Sequence, residues 1–240
     1  MSYQNTFGLP GPQTAHAQVY NTVRLNNQGV KYLPGGRVID ASESRDPLNT
    51  GYLTTLRPGM VMGMITATGL YAPSIIGLTT ANYTSGGTSL TVSPATAVEI
   101  VRRLGSSGTA KLTSSVDATT AVVPASDQRT LTYSAVNVTT GVLTITSTGV
   151  DVVAGSIIGG IDGSAAPLCI IDDGDGIKVT DQDGNNVDQP FPFALIGGTV
   201  NTDNIINYPI AANTALVAWL KGKLNNASSN GFVFNDAFQL

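Results

Sequence analysis

One cysteine, one histidine and one tryptophan stand among 240 residues, and only 12% of the chain is charged. A lone Cys169 cannot close an intrachain disulfide, and within the apolar stretch APLCII it reads as a small buried hydrophobe. The lone histidine, His16, lies in a segment full of turn residues, so no imidazole is placed to activate a serine or cysteine nucleophile. Glutamate is as scarce: Glu43 and Glu99 are the only two, and the aspartates gather at turns without an aromatic platform, which argues against paired-carboxylate glycoside chemistry. Phosphate cradles are missing too, because GSSG at 105–108 follows a helical pattern instead of opening one and no G-x-x-x-x-G-K occurs. No catalytic residue, cofactor or metal is expected, and the chain reads as a non-enzyme.

Basic charge is also short. The net charge is −4 and Arg102-Arg103 is the one adjacent basic pair, whereas phosphate neutralisation needs a basic stripe, so no nucleic-acid partner is expected. The longest apolar run, RPGMVMGMITATGLYAPSIIGLT at 57–79, is broken by Pro58, Pro73, Gly59, Gly63, Gly69 and Gly77. A membrane span needs roughly 20 apolar residues in a helix, so no membrane partner is expected. The opening MSYQNTFGLPGPQ lacks the basic region and apolar stretch of a secretory signal, so the glycosylation-type triplets at Asn82, Asn137 and Asn226 read as turn and strand residues.

What the chain does have is glycine, 27 of them, with threonine, serine, asparagine and valine in short alternating runs. That composition predicts a mainly β protein with two short helices and turns every ten residues or so, a sandwich or barrel-like module. Met60, Met62 and Met64 fall on one face of a strand and Val61, Gly63 and Ile65 on the other. ATG at 67–69 supplies a turn and LYAPSII a return strand, giving a hairpin with both faces buried. Gly63 in mid-strand marks a bulge or a close backbone approach, or else a small residue in a crowded core.

Ser93 as N-cap, Pro94 at the first helical position, the stripe Ala97, Val98, Val101, Leu104 and a stop at Gly105 predict one helix. Asn213, with Leu216, Val217, Leu220 and Leu224 and with Trp219 on the flank, predicts a second. The acidic run DDGDGIKVTDQDGNNVD fits a calcium loop at Asp181, Asp183 and Asn185 but fails at Asn186 and Pro192, so it reads as two acidic turns around a strand.

Composition divides the chain into an extended N-terminal arm (1–50), too poor in apolar residues to fold alone, a core made of 51–78 and 190–240, and an inserted β-rich subdomain (79–189). Within the arm, TVRL and VKYL can pair across Asn26–Gly29.

The succession Leu56, Gly59, Met60, Val61, Gly63, then Tyr71, Ala72, Pro73, set in VIDASESRDPLNTGYLTTLRPGMVMGMITATGLYAPSIIG, resembles bacteriophage head decoration (cement) proteins of the lambda type. The likeness covers about 37–78 and, more loosely, IGGTVNTDNIINYP with its following helix; a large insertion separates the two. It implies a sandwich or barrel-like (β-tulip-type) core, a homotrimer at three-fold junctions of the shell, the major capsid protein as partner, synthesis in the host cytoplasm and a place on the outer surface of the virion. Under that resemblance Arg37, Val38, Ile39 and Arg45 are expected to contact the capsid, and Met60, Met62, Met64, Tyr71, Ile75 and Ile76 to meet other subunits. Other classes share the Gly/Ser/Thr-rich β composition: tail-tube, baseplate or fibre subunits, and glycan-binding surface modules.

Overall fold

The computed structural model describes residues 20–26, 29–35, 37–114, 128–146, 148, 151–209, 213–226 and 231–235. His16 and the first nineteen residues of the expected arm lie outside them. Among these residues the chain is mainly β with two α-helices, as the sequence predicts.

In chain order, β1 (Lys31–Tyr32), β2 (Val38–Ile39), β3 (Thr55–Leu56), β4 (Val61–Met64) and β5 (Tyr71–Pro73) lead into β6 (Gly77–Leu78) and β7 (Ser89–Thr91). Helix α1 (Pro94–Leu104) precedes β8 (Gly108–Thr113), β9 (Gln128–Asn137), β10 (Val142–Ile145) and β11 (Ile157–Gly159). Then come β12 (Cys169–Ile171), β13 (Ile177–Lys178), β14 (Gln189–Pro190), β15 (Ala194–Asn201), α2 (Thr214–Asn226) and β16 (Gly231–Asn235).

The larger sheet runs β1-β15-β12-β4-β5-β2-β14, with β16 parallel to β15. Its central strands are apolar on both faces, and period-two alternation sends the two sets to different cores. Val61, Ile170 and Leu195 meet Leu216, Trp219, Leu220 and Leu224 of α2, which crosses between the parallel strands β15 and β16. Met62, Cys169, Ile171 and Ala194 face the other way, onto Leu56 and Ile177 of the two-stranded ribbon β3–β13. The hairpin expected at 60–76 is therefore β4–β5, with Met62 opposite Pro73 and Met64 opposite Tyr71. Gly63 resolves as a close approach, since a Cβ there would collide with the Ser164 and Ala166 carbonyls.

The second sheet runs β6-β11-β8-β9-β10-β7 and curls until its edges meet: Thr79 bridges Val92, and the Thr80 amide donates to the Thr91 carbonyl at 2.9 Å. Leu90, Leu112, Leu131, Tyr133 and Leu143 fill the curl beneath α1. Ser93 caps α1 by accepting from the Thr96 amide at 3.1 Å, and Gly105 ends it. The buried stripe differs from the predicted one. Ala97 and Ile100 are inside while Val98 is exposed, because the helix is turned so that Glu99 and Arg103 reach the seam between the sheets.

Two divisions drawn from composition are corrected. The strands of the smaller sheet span 77–159 and not 79–189, and β12 already lies in the middle of the larger sheet, between β15 and β4. The short-strand rhythm continues unchanged across that return, so nothing in composition marks it. Residues 20–50 are not a detached arm. Val23 and Ile39 are fully buried, β2 pairs with β14 and β5, and both Arg24 and β1 pair with β15. TVRL and VKYL pair successively with β15 instead of with each other, because that long strand offers an unpaired edge to both. No helix among the described residues is long and apolar enough to cross a membrane.

Candidate functional site

The two sheets are joined by paired crossings. Leaving β5, Ile75 packs into the core under α2 and Ile76 into the barrel core; on the return Ile157 and Ile158 divide the same way. The Ile76 amide donates to the Ile158 carbonyl at 2.8 Å. Beside this seam Arg103 of α1 is almost wholly buried, its Nη1 donating to the Pro73 carbonyl at 2.7 Å and its Nη2 to Ser164 Oγ at 2.5 Å. It also pairs with Glu43 at 3.2 Å and Asp162 at 3.1 Å, so one guanidinium ties the helix to three stretches of the larger body. Burial alone would raise the Asp162 carboxyl, but hydrogen bonds from Ser164 and the Arg103 charge outweigh it and hold it below its ordinary value. Arg102 next door grips Glu99 through two bonds of 2.7 and 2.6 Å and donates to the Ser42 carbonyl.

Few of the expected contact residues are available to a partner. Met60, Met62, Tyr71, Ile75 and Ile76 are buried by their own chain, which covers both faces of the hairpin and leaves these side chains nothing to present to another subunit. Met64 alone of that set reaches the surface. Of the four residues expected to touch the capsid, Ile39 is fully buried and Val38 partly so, both serving the sheet. Arg45 spends its guanidinium on the Ala41 and Ser44 carbonyls and on Asn186 Oδ1. Arg37 is exposed, its guanidinium 6.0 Å from the centre of the Tyr71 ring.

The acidic run forms turns, as read from the sequence. Asp181 accepts from the amides of Asp183 and Asn185, and Asp173 from that of Asp175. Asp172 has a different job: its buried carboxylate takes the Arg24 guanidinium at 2.9 Å and the Tyr32 hydroxyl at 2.7 Å, fastening both residues to the body. Burial raises this carboxyl, with Tyr32 and Arg24 opposing, and the same burial with the neighbouring carboxylate pushes the Tyr32 hydroxyl up to about 12. Among the described residues no three His, Cys, Asp or Glu side chains converge to hold a metal.

Sequence reasoning missed the loop between β2 and β3. Asp46 is fully buried and receives the Arg57 guanidinium through two bonds, at 2.6 and 3.0 Å. The Asp46 amide donates to the Leu53 carbonyl, and the Tyr52 amide to that of Asn49. Asn49 Nδ2 donates to the Thr55 carbonyl at 2.9 Å and to the Tyr20 hydroxyl at 3.0 Å. This scaffold holds three large apolar side chains in solvent: Leu48, 43% exposed, Tyr52, 52%, and Leu53, 48%. Beside it opens a cleft of about 410 Å³ whose lining includes Tyr20, Leu48, Pro58, Asn204 and Ile206. The available signal was PLNTGYLTTL, ten uncharged residues bracketed by Asp46 and Arg57. No protein-family model, curated protein or solved structure matches this chain.

Proposed function

We propose that this chain is a structural protein of a bacteriophage head, binding the outer surface of the assembled shell as a trimer at three-fold junctions and bracing it. One observation carries the reading. The residues of the decoration-protein resemblance, Leu56 to Gly63 and Tyr71 to Pro73, come together around one hairpin at the centre of the larger sheet, and the barrel is an outgrowth from the end of that hairpin. An attachment body with an added module suits a protein that sits on a scaffold and projects from it, and the role is binding without turnover. The partners are the major capsid protein and further copies of this chain.

The test is to mix purified protein with undecorated shells assembled from the cognate major capsid protein and to image them. Added density at three-fold junctions, with the shells surviving higher temperature, is the expected result. Protein that ignores shells but closes into rings or tubes alone would replace this reading with a tail-tube role.

A further inference from the structure

Resting on that reading, we infer that the loop Pro47–Thr55, with its neighbouring cleft, is the rigid attachment surface by which the body seats on an uncharged, apolar patch of the shell protein. The loop presents Leu48, Tyr52 and Leu53 to solvent, three of the eleven large hydrophobics so exposed among the described residues, within six positions. Scattered exposed apolar residues need no explanation, but a concentration on one loop does.

Ordering has already happened in the free chain. The Asp46–Arg57 pair, the Asn49 side chain and the backbone bonds from Asp46 and Tyr52 fix the loop, so docking does not have to freeze it. A tyrosine on a stiff support, with Leu48 and Leu53 on the same loop and a cleft beside it that can take a partner side chain, has the chemistry of an interface centre.

Two observations choose the occupant. From Pro47 to Leu56 no side chain is charged, and the flanking Asp46 and Arg57 neutralise each other, so the surface complementary to the loop is itself uncharged; of the cleft lining, Asp203 alone adds a further charge. Tyr20, the first described residue, lines the cleft and bonds Asn49. Tyr20 is also where the chain joins residues 1–19, the segment that the shell reading assigns to capsid contact.

Cysteine protection tests this without relying on affinity alone. Cys169 is buried, so Leu53→Cys supplies the one reactive thiol among the described residues, and Val98→Cys on α1 supplies a control at another exposed apolar position. On wild-type-like binding to undecorated shells, maleimide labelling of the Leu53→Cys thiol is expected to slow by about ten-fold or more while that of Val98→Cys is unchanged. The double variant Tyr52→Ser/Leu53→Ser is expected to keep its melting temperature, lose about ten-fold or more in shell affinity, and show the weak salt dependence of the wild type.

Equal labelling of Leu53→Cys on and off the shell overturns the inference and leaves the shell reading standing. Protection in free protein that light scattering shows to be associated assigns the loop to a second copy of this chain, and also overturns it. If the wild type does not bind shells, the functional reading fails and this inference falls with it.

Discussion

The Arg103 guanidinium, 1% exposed, lies 3.1 Å from the Asp162 carboxylate, and that contact joins a helix of the inserted barrel to the return strand's loop in the larger body. Because the same guanidinium also holds Glu43, Ser164 and the Pro73 carbonyl, removing it leaves several polar groups at the seam without their partner. Arg103→Met should therefore cost about 3 kcal/mol or more, the usual size when a buried ion pair loses one member. Urea unfolding checks this, and separate transitions for barrel and larger sheet are the expected form of the loss. Arg103→Lys should recover only part of it, since an ammonium cannot span the same acceptors.

Acid titration separates the two aspartates that fasten the fold. The Asp162 carboxyl is held below its ordinary value, so the stability it adds is present above the unfolded-state pKa and is lost as pH falls through the lower folded one. Asp172 has the opposite sign: its raised carboxyl favours the folded state most at low pH, a contribution lost as pH rises through the folded pKa. Asp162→Asn should flatten the acid limb of the stability curve, and Asp172→Asn should flatten the decline above it. Denaturant midpoints measured across the acidic range decide both, and the same slopes in variant and wild type would contradict the assignment.

Gly63→Ala is expected to destabilise strongly although it adds one methyl group. The new carbon would meet the Ser164 and Ala166 carbonyls, which are backbone and cannot rotate away. A loss of about 1–3 kcal/mol or more by urea melting is expected, against a few tenths for Gly35→Ala, where nothing lies near.

Much of the barrel was legible because its signals are local. Ser93, Pro94 and Gly105 bound α1, and Leu131 and Tyr133 alternate with Thr130, Thr132 and Ser134 to mark an amphipathic strand. The burial of both hairpin faces was legible for the same reason, through the alternation of Met60, Val61 and Met62. What could not be read is non-local. Val38-Ile39 becomes a strand because β5 and, some 150 residues later in sequence, β14 pair with it, and the buried Asp46 is matched by Arg57, which returns to meet it. The contact residues went astray on this point: an apolar hairpin calls for cover, but sequence does not say whether its own chain or another supplies it. Leu48, Tyr52 and Leu53 were passed over because a short polar-looking loop gives no periodic signal.

Chelation should leave the melting temperature unchanged. Asp181 and Asp173 already spend their oxygens on amides of their own turns, so a metal has no vacant carboxylate cage there. A drop on adding EDTA that calcium reverses would contradict this.

Truncation locates the boundary between arm and body. Deleting residues 1–19 should leave the circular dichroism and the cooperative melt of the body intact, because the contacts that close the larger sheet among the described residues are made from Tyr20 and Val23 onward. Extending the deletion to residue 33 removes Val23 from the core, strips Arg24, Lys31 and Tyr32 from the edge of β15, and leaves the buried Asp172 carboxylate without the guanidinium and hydroxyl that hold it. An uncompensated buried charge alone costs about 3–5 kcal/mol, and an unpaired strand edge invites association, so the longer deletion should melt much lower and aggregate. Under the proposed function the shorter deletion should also weaken shell binding while the Leu53→Cys thiol, on those molecules that still bind, stays protected. A 1–19 deletion with wild-type shell affinity would make that segment a passive tail and put the whole attachment on the body. If it fails to fold, the leading segment belongs to the core.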